Sequence, residues 1–522
     1  MTLKPFHRQW PNLRLWPIGP VLTIAFVAAV SIASIVFYAG WDLLGVQGIK
    51  SEKRIDSKTL FDLVKLSFGV VAGSGALVAL IVAYRRQRVD EAGALRDATR
   101  LHTERFTTAV GQLGDESAAV RLGGIHALAG LADDAPTRSL RQTCIDVLCA
   151  YLRLPYRAEV DLPQDDATAQ HEYLALREVR HTVIRVVRDH LRLPQTNPHS
   201  WQGYDFDFTN VVFDGGDFSK AIFSSGIIDF TGAQFTSGEI SFRDARFTGS
   251  SVKFSNALFC GSSASFENAE FHDGSIIFDG VQFSNGSASF EKSQFSGGQV
   301  SFLGAQFSGV LINFYGADFR CSRGSVSFAD AQFSGGWIHF EDARFSEGPV
   351  HFDGAQFAGG RLYYDRAHFS GATVSFNNAQ FESGNVSFDE ATFSSGWITF
   401  DDAQFLGGET SFSSARFSGA TVNFRETQFG SGQVSFESAK FFEGIVGFGG
   451  AQFFGSSIDF FGAEFLGCEV SFVDAHFSGG TLDFDRAYGF AAPIGLPSTP
   501  ESFVPPGLRM PTAWFGSTNS GA

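Results

Sequence analysis

Residues 328–340 read Phe328-Ala329-Asp330-Ala331-Gln332-Phe333-Ser334-Gly335-Gly336-Trp337-Ile338-His339-Phe340. Phenylalanines are spaced five and then seven residues apart, and the next rungs continue with Phe345, Phe352 and Phe357, with Tyr364 in the following slot. From Phe206 to Phe484 this alternation organises the chain. One set recurs every twelve positions from Phe235, Phe247 and Phe259 to Phe319, and again from Phe333, Phe345, Phe357, Phe369 and Phe381 to Phe477. A small or β-branched residue stands two positions before each phenylalanine, as Ala331 before Phe333 and Ile338 before Phe340. In extended chain that spacing puts both side chains on one face, while Gln332 and His339 point the other way. Ser334-Gly335-Gly336 is a turn cluster. The pattern therefore predicts very short strands joined by corners, with Phe and Ala/Val inside a stacked solenoid.

The segments Val211-Val212-Phe213-Asp214-Gly215, Gly216-Asp217-Phe218-Ser219-Lys220 and Ala221-Ile222-Phe223-Ser224-Ser225 resemble tandem pentapeptide repeats. The same small-x-Phe unit recurs in Gly304-Ala305-Gln306-Phe307 and Gly354-Ala355-Gln356-Phe357. The resemblance covers roughly 203–490 and implies a mainly β fold, a right-handed quadrilateral β-helix. Every second unit gains two residues, so a coil of 24 residues is expected in place of 20, and spacing alone leaves a three-sided coil open. About ten to eleven coils between Phe230 and Phe484 make a rod roughly 50 Å long. One insertion interrupts the ladder: Phe319 to Phe328 is nine residues, with Arg320, Cys321 and Arg323 in the gap. It reads as a corner loop or as a docking point.

The ends differ in kind. Between Arg14 and Asp42, and again between Lys65 and Arg85, there is no charged residue. Spans at about 18–40 and 66–84 match a hydrocarbon thickness of roughly 30 Å, and Trp10, Trp16, Tyr38, Trp41 and Tyr84 lie near their ends. Residues 1–88 are thus expected to form a two-helix transmembrane hairpin, the partner being the lipid bilayer. The Arg85, Arg86 and Arg88 cluster places both termini, and the repeats, on the cytoplasmic side of the cell membrane. Gly69 and Gly73, with the Ala25, Ala29 and Ala33 stripe, suit close helix packing, within the hairpin or between chains as a homo-oligomer.

Residues 89–200 show helical periodicity. Val120, Gly124, Leu128 and Leu131 fall on one face, and Leu140, Cys144, Val147, Leu148 and Tyr151 form another stripe. This α-helical neck resembles a short helical-repeat hairpin of the HEAT or armadillo kind, and is expected to cap the first edge of the solenoid. A fourth helix, His171 to Leu193, carries Arg177, Arg180, Arg185, Arg188 and Arg192 among acidic residues. Its charge reads as a solvated face, a lipid contact or a nucleic-acid surface. Residues 491–522 contain Pro493, Pro497, Pro500, Pro505 and Pro506 and are expected to cap the far end, with Phe503 and Trp514 folding over the last coil before a disordered tail.

Charge is divided unevenly: residues 1–200 carry 24 basic and 20 acidic side chains, and residues 201–522 carry 15 and 35, a net of −20. An acidic rod argues against direct binding of nucleic acid. Cys144, Cys149, Cys260, Cys321 and Cys468 form no paired motif. No phosphate loop, metalloprotease helix, dinucleotide fingerprint or nucleophile elbow is present, so no catalytic residue, cofactor or metal ligand is assigned. His339, His351, His368 and His476 occupy outward positions, with His339 and His351 twelve apart and thus candidate neighbours around or along the rod. The order of segments resembles bacterial membrane-anchored pentapeptide-repeat proteins. The expected function is a non-enzymatic scaffold offering the rod to a protein partner. The alternative, implied by soluble family members, is a DNA mimic acting on DNA gyrase or another DNA-binding protein.

Overall fold

The computed structural model describes residues 56–157, 166–321, 323–489, 493–496, 507–511 and 514, with scattered positions of 23–42. The chain divides into two compact units, Met1–Leu101 and His102–Ala522. Helix α1 is Ser57–Leu113, and its last turns belong to the second unit. Among the described residues no helix is long and apolar enough to cross a membrane. Most of the first expected span lies outside the described residues, as do the side chains of Ser67, Val70, Val71 and Ser74 in the second.

In the second unit, α2 (Ala118–Asp133), α3 (Arg138–Leu152) and α4 (Ala167–Arg192) form the expected neck. Gly124, Leu128 and Leu131 are buried as the spacing predicted, but Val120 at the start of the stripe is 38% exposed. Gly124 marks where α2 meets α1. A Cβ there would lie 2.6 Å from the Leu113 amide nitrogen and 3.0 Å from the Ala109 carbonyl oxygen.

From Phe206 onward the chain is a parallel β-solenoid of about twelve turns, consistent with pentapeptide repeats. Two long sheets of 20 and 21 short strands run along it. The regular coil takes 24 residues: Phe259 pairs with Phe283 and Phe283 with Phe307 on one sheet, and Phe271 with Phe295 on the other. The first coil is shorter by two, Phe213 pairing with Phe235, and the coil with the insertion longer by two, Phe307 pairing with Phe333. Twelve coils at about 4.8 Å each give a length of roughly 55 Å. Corners use left-handed backbone, which Asn and Asp adopt more readily than other chiral residues. Asn256, Asn268, Asp330, Asp342, Asn378 and Asp402 all have φ between 54° and 59°. Spacer glycines such as Gly336, Gly384 and Gly396 are required by close approach. At Gly396 φ is +95°, and a Cβ would stand 2.3 Å from the Ala372 carbonyl oxygen.

Four phenylalanines per coil point inward and form four columns. Around one turn the chain visits Phe283, Phe290, Phe295 and Phe302, and each ring stacks on its equivalent one coil on: Phe283 on Phe307 at 5.3 Å, Phe290 on Phe314 at 4.8 Å, Phe295 on Phe319 at 4.8 Å and Phe302 on Phe328 at 4.7 Å. The Phe290 and Phe302 columns meet edge to face across the interior, at 5.9 Å and 85°. Offset-stacked and edge-on pairs suit the ring quadrupole, each contributing about 0.5–1.5 kcal/mol beyond burial. This repeated contact explains why the ladder tolerates so little variation at these positions.

The far end is closed by the chain itself. Leu508 pairs with Leu482, Ile494 bridges to Ser471, and Trp514 stands edge-on to Phe465 and Phe484. The prolines therefore do not exclude strand pairing there; they separate two short stretches that each add to the last coil. Phe503 lies outside the described residues.

Candidate functional site

The near end of the solenoid exposes a first coil with no coil before it. Its carbonyls must find other donors or remain unpaired. Side chains of the neck supply them. Arg180 reaches the Val212 carbonyl at 2.7 Å and that of Leu152 at 2.8 Å, and Arg192 Nε reaches Ser219 O at 2.7 Å. Arg153 donates to Asp207 O at 3.2 Å, Arg138 to Gly203 O, and Gln142 both donates to Asp205 O (2.8 Å) and accepts from its amide (3.1 Å). Arg188 pairs with Asp217. The arginines of α4 are thus largely committed to the coil edge; a solvated or nucleic-acid-facing row would leave them free. Arg185 differs, pairing within its own helix with Thr182 (2.8 Å) and Glu178 (3.6 Å).

The most concentrated chemistry on this junction surrounds Asp214, a residue only 2% exposed. The hydroxyls of Tyr156 and Tyr173 donate to its carboxylate at 2.5 and 2.9 Å. His181 Nε2 stands 3.1 Å away and Arg177 3.2 Å away. Burial alone would raise the carboxyl, yet hydrogen bonds from His181, Tyr156 and Tyr173 outweigh it and hold the group at about 2. Burial, with donation to Asp214, pushes Tyr173 up to about 12 and Tyr156 higher still. A carboxylate so saturated with donors does not take a proton at neutral pH. It is an anchor that joins α4, the chain after α3 and the first coil. Beside it His181, Asp217, Glu239 and Arg243 line an open polar groove of about 580 Å³.

On the solenoid surface one patch gathers aromatic, apolar and cationic side chains in successive coils. Leu311, Trp337 and Arg361 are partners in successive coils of one sheet, and so are Asn313, His339 and Tyr363. Trp337 is 52% exposed, and the Arg361 guanidinium lies 5.5 Å from its ring centre. His339 and Tyr363 stack at 5.3 Å. Trp, Tyr and Arg are the side chains that dominate protein interfaces. A second tryptophan, Trp397, is 59% exposed on the other sheet, between Thr373 and Thr421. Sequence reasoning passed over both. The available signal was a tryptophan in an outward spacer slot that most often holds Ser, Gln or Thr.

The ladder residues Phe235, Phe247, Phe259, Phe333, Phe345, Phe357, Phe369 and Phe381 are all interior. In the insertion, Arg320 is exposed and pairs with Asp318 at 3.0 Å, and Arg323 is exposed. Cys321 turns inward to 1% exposure, and burial pushes its thiol up to about 12. The two extra residues are taken up between Phe319, which still pairs with Phe295, and Val326, which pairs with Val300, and both pair onward with Phe345 and Val350. His339 and His351 are not neighbours: twelve residues is half a coil, and they lie on opposite sheets, each beside its own carboxylate, Glu341 and Asp353. Among the described residues no group of His, Cys, Asp and Glu could hold a metal ion. No protein-family model, curated protein or solved structure matches the chain.

Proposed function

We propose that the chain is a non-enzymatic scaffold, held at the cytoplasmic face of the cell membrane by two N-terminal helices and presenting a rigid solenoid to a protein partner. The observation that carries this is the Leu311–Trp337–Arg361 patch with His339 and Tyr363, an aromatic surface on a regular, mostly polar rod. The membrane half rests on the two charge-free stretches and on Leu66, Phe68 and Leu80 of α1, each at least 71% exposed. Arg85, Arg86 and Arg88 support the orientation. Four inward columns support the right-handed quadrilateral form of the pentapeptide-repeat β-helix. Basic residues on the rod pair with acidic ones one coil away, as Arg243 with Glu267, Arg246 with Glu270 and Lys440 with Glu464. That pairing breaks up the acidic surface a DNA mimic needs, so the scaffold is preferred.

The test is proximity labelling from a carboxyl-terminal tag, comparing the natural chain with Trp337→Ala and Arg361→Ala. Cytoplasmic proteins labelled by the natural chain and lost with both variants are expected. Labelling confined to the opposite side of the membrane, or an unchanged set of neighbours, sinks the proposal. A supercoiling assay with added protein decides the DNA-mimic alternative directly.

A further inference from the structure

The last turn of α4 meets the end of α2 and the connection into the first coil at a second junction, separate from Asp214. At its centre is His190, whose two ring nitrogens both face acceptors. Nδ1 stands 2.6 Å from the Val186 carbonyl oxygen one turn back, and Nε2 stands 3.2 Å from the Asp133 carboxylate. A neutral imidazole carries one N–H and one lone pair, so either tautomer aims a lone pair at an oxygen. Only the imidazolium donates at both ends. Two further features favour the cation. The ring lies nearly parallel on Trp201, with centres 4.0 Å apart, and an aromatic face attracts positive charge. His190 also stands in the last helical turn, where the carbonyl end of the dipole does the same. The surroundings are closed: Trp201 is fully buried, and Asp133 and His190 are each 16% exposed. Asp133 also accepts from Trp201 Nε1 at 3.1 Å and faces His199 Nδ1 at 3.2 Å. From α3, Arg141 donates to the Asp133 carbonyl oxygen and to Pro198 O, each at 2.8 Å. On α4 itself Asp189 adds negative charge and is paired with Arg188 and Arg192. The Trp201 amide completes the contact by donating to the His190 carbonyl at 3.3 Å.

We propose that the His190 imidazolium is a proton-operated latch, which pins the connection at residues 193–201 to the ends of α2 and α4 and releases it when the proton leaves to solvent. Burial opposes the charge, but the bonds to Asp133 and Val186 outweigh it and hold the group above its ordinary 6.5. A raised value in the closed state fixes the sign of the response. Closure is strongest below about pH 6.5, where the open form also binds the proton. It weakens by up to about tenfold per pH unit as pH rises from there to the closed-state midpoint of His190, and the contribution is gone above it. Asp133, where hydrogen bonds from His190 and Trp201 outweigh burial, lies below its ordinary 3.8 and stays charged throughout that window. The opening is local, because Arg180 and Arg192 still hold the coil edge.

Solid-state nuclear magnetic resonance of the full chain in lipid nanodiscs, labelled with 15N-histidine, tests the latch without any substitution. His190 is assigned from the signals lost in His190→Gln. Both of its ring nitrogens are expected to carry protons at about pH 6 and to titrate together with a midpoint above 6.5. Hydrogen exchange, corrected for the intrinsic pH dependence of the reaction, should show the Trp201 amide losing protection over the same interval. The loss should be at least about threefold between about pH 6 and 8.5. In His190→Gln that amide should exchange at one low level of protection across the range. His199→Gln, at a half-exposed position, should keep the transition, which separates the two imidazoles. Asp133→Asn keeps an acceptor of the same shape without the charge and should move the His190 midpoint to lower pH. A midpoint at or below 6.5 in the natural chain, an unmoved midpoint in Asp133→Asn, or a transition that persists in His190→Gln overturns the proposal.

Discussion

Replacing Tyr364 by phenylalanine should make the solenoid more stable. Tyr364 occupies an inward slot that holds phenylalanine in every other coil of its column, from Phe218 to Phe484. Its ring is stacked at 4.8 Å on Phe340 and at 4.8 Å on Phe388, and stands edge-on to Phe352 and Phe376 at 6.2 and 6.1 Å. The substitution leaves all four contacts in place. What it removes is a hydroxyl that is fully buried and has no hydrogen-bond partner. Leaving such a group unsatisfied costs about 1–3 kcal/mol. The void left behind, on the order of 10 Å³, takes back about 0.2 kcal/mol at the usual cavity rate. The net gain is about 1–3 kcal/mol. Because a long repeat array does not unfold in two states, a single melting temperature is the wrong readout. Hydrogen exchange resolves it coil by coil: amides around Tyr364, including the one donated to Ser387 O at 2.6 Å, should exchange about 5–100 times more slowly. Coils beyond the immediate neighbours should not change. The reverse substitution, Phe388→Tyr, should accelerate local exchange by a similar factor. If Tyr364→Phe speeds exchange or leaves it unaltered, the hydroxyl has a partner and the argument fails.

Acid should loosen the neck before the solenoid. Asp214 lies at about 2 when folded against an ordinary 3.8, so the unfolded chain takes up the proton first. Its contribution, about 2 kcal/mol, is complete above about pH 4 and is lost as pH falls toward 2. Exchange protection of α4 should fall over that window in the natural chain and be low throughout in Asp214→Asn. Gly124→Ala forces a methyl group against the α1 backbone at Leu113 and Ala109, and should destabilise the neck by about 1–3 kcal/mol, seen as a fall in its exchange protection. Trp514→Ala uncovers Phe465 and Phe484 at the last coil. It should convert the protein to concentration-dependent end-to-end assemblies in analytical ultracentrifugation, with secondary structure intact.

The interior of the solenoid was legible because inward slots recur with fixed spacing, and Phe, Ala and Val there are the whole signal. From five plus seven, doubled, came the coil of 24 residues. The edge-on meeting of the Phe290 and Phe302 columns was not legible, since it depends on how the coil folds across its own interior. The neck helices followed from periodicity, but the role of Arg180 and Arg192 did not. A cationic helix looks the same in sequence whether its arginines meet water or bare carbonyls. Asp214 stood in an ordinary repeat, Val211 to Gly215, and only the arrival of Tyr156, Tyr173, Arg177 and His181 from elsewhere in the chain makes it an anchor. Trp337 was visible yet unweighed, because a single outward aromatic has meaning only beside Leu311, Arg361 and Tyr363.

The two-sheet coil also fixes how this protein can change length. Twenty-four residues return the chain to the same sheet, so a whole-coil duplication or deletion slides every later surface along the axis without turning it. Twelve residues preserve the inward phenylalanines equally well, since Phe333 and Phe345 both face the core. They transfer each later segment to the opposite sheet. A half-coil deletion ahead of Trp337 would therefore leave a well-packed rod whose aromatic patch faces the other way, half a turn from its present position. Steps of twelve and twenty-four are thus equivalent for the core and opposite for the surface.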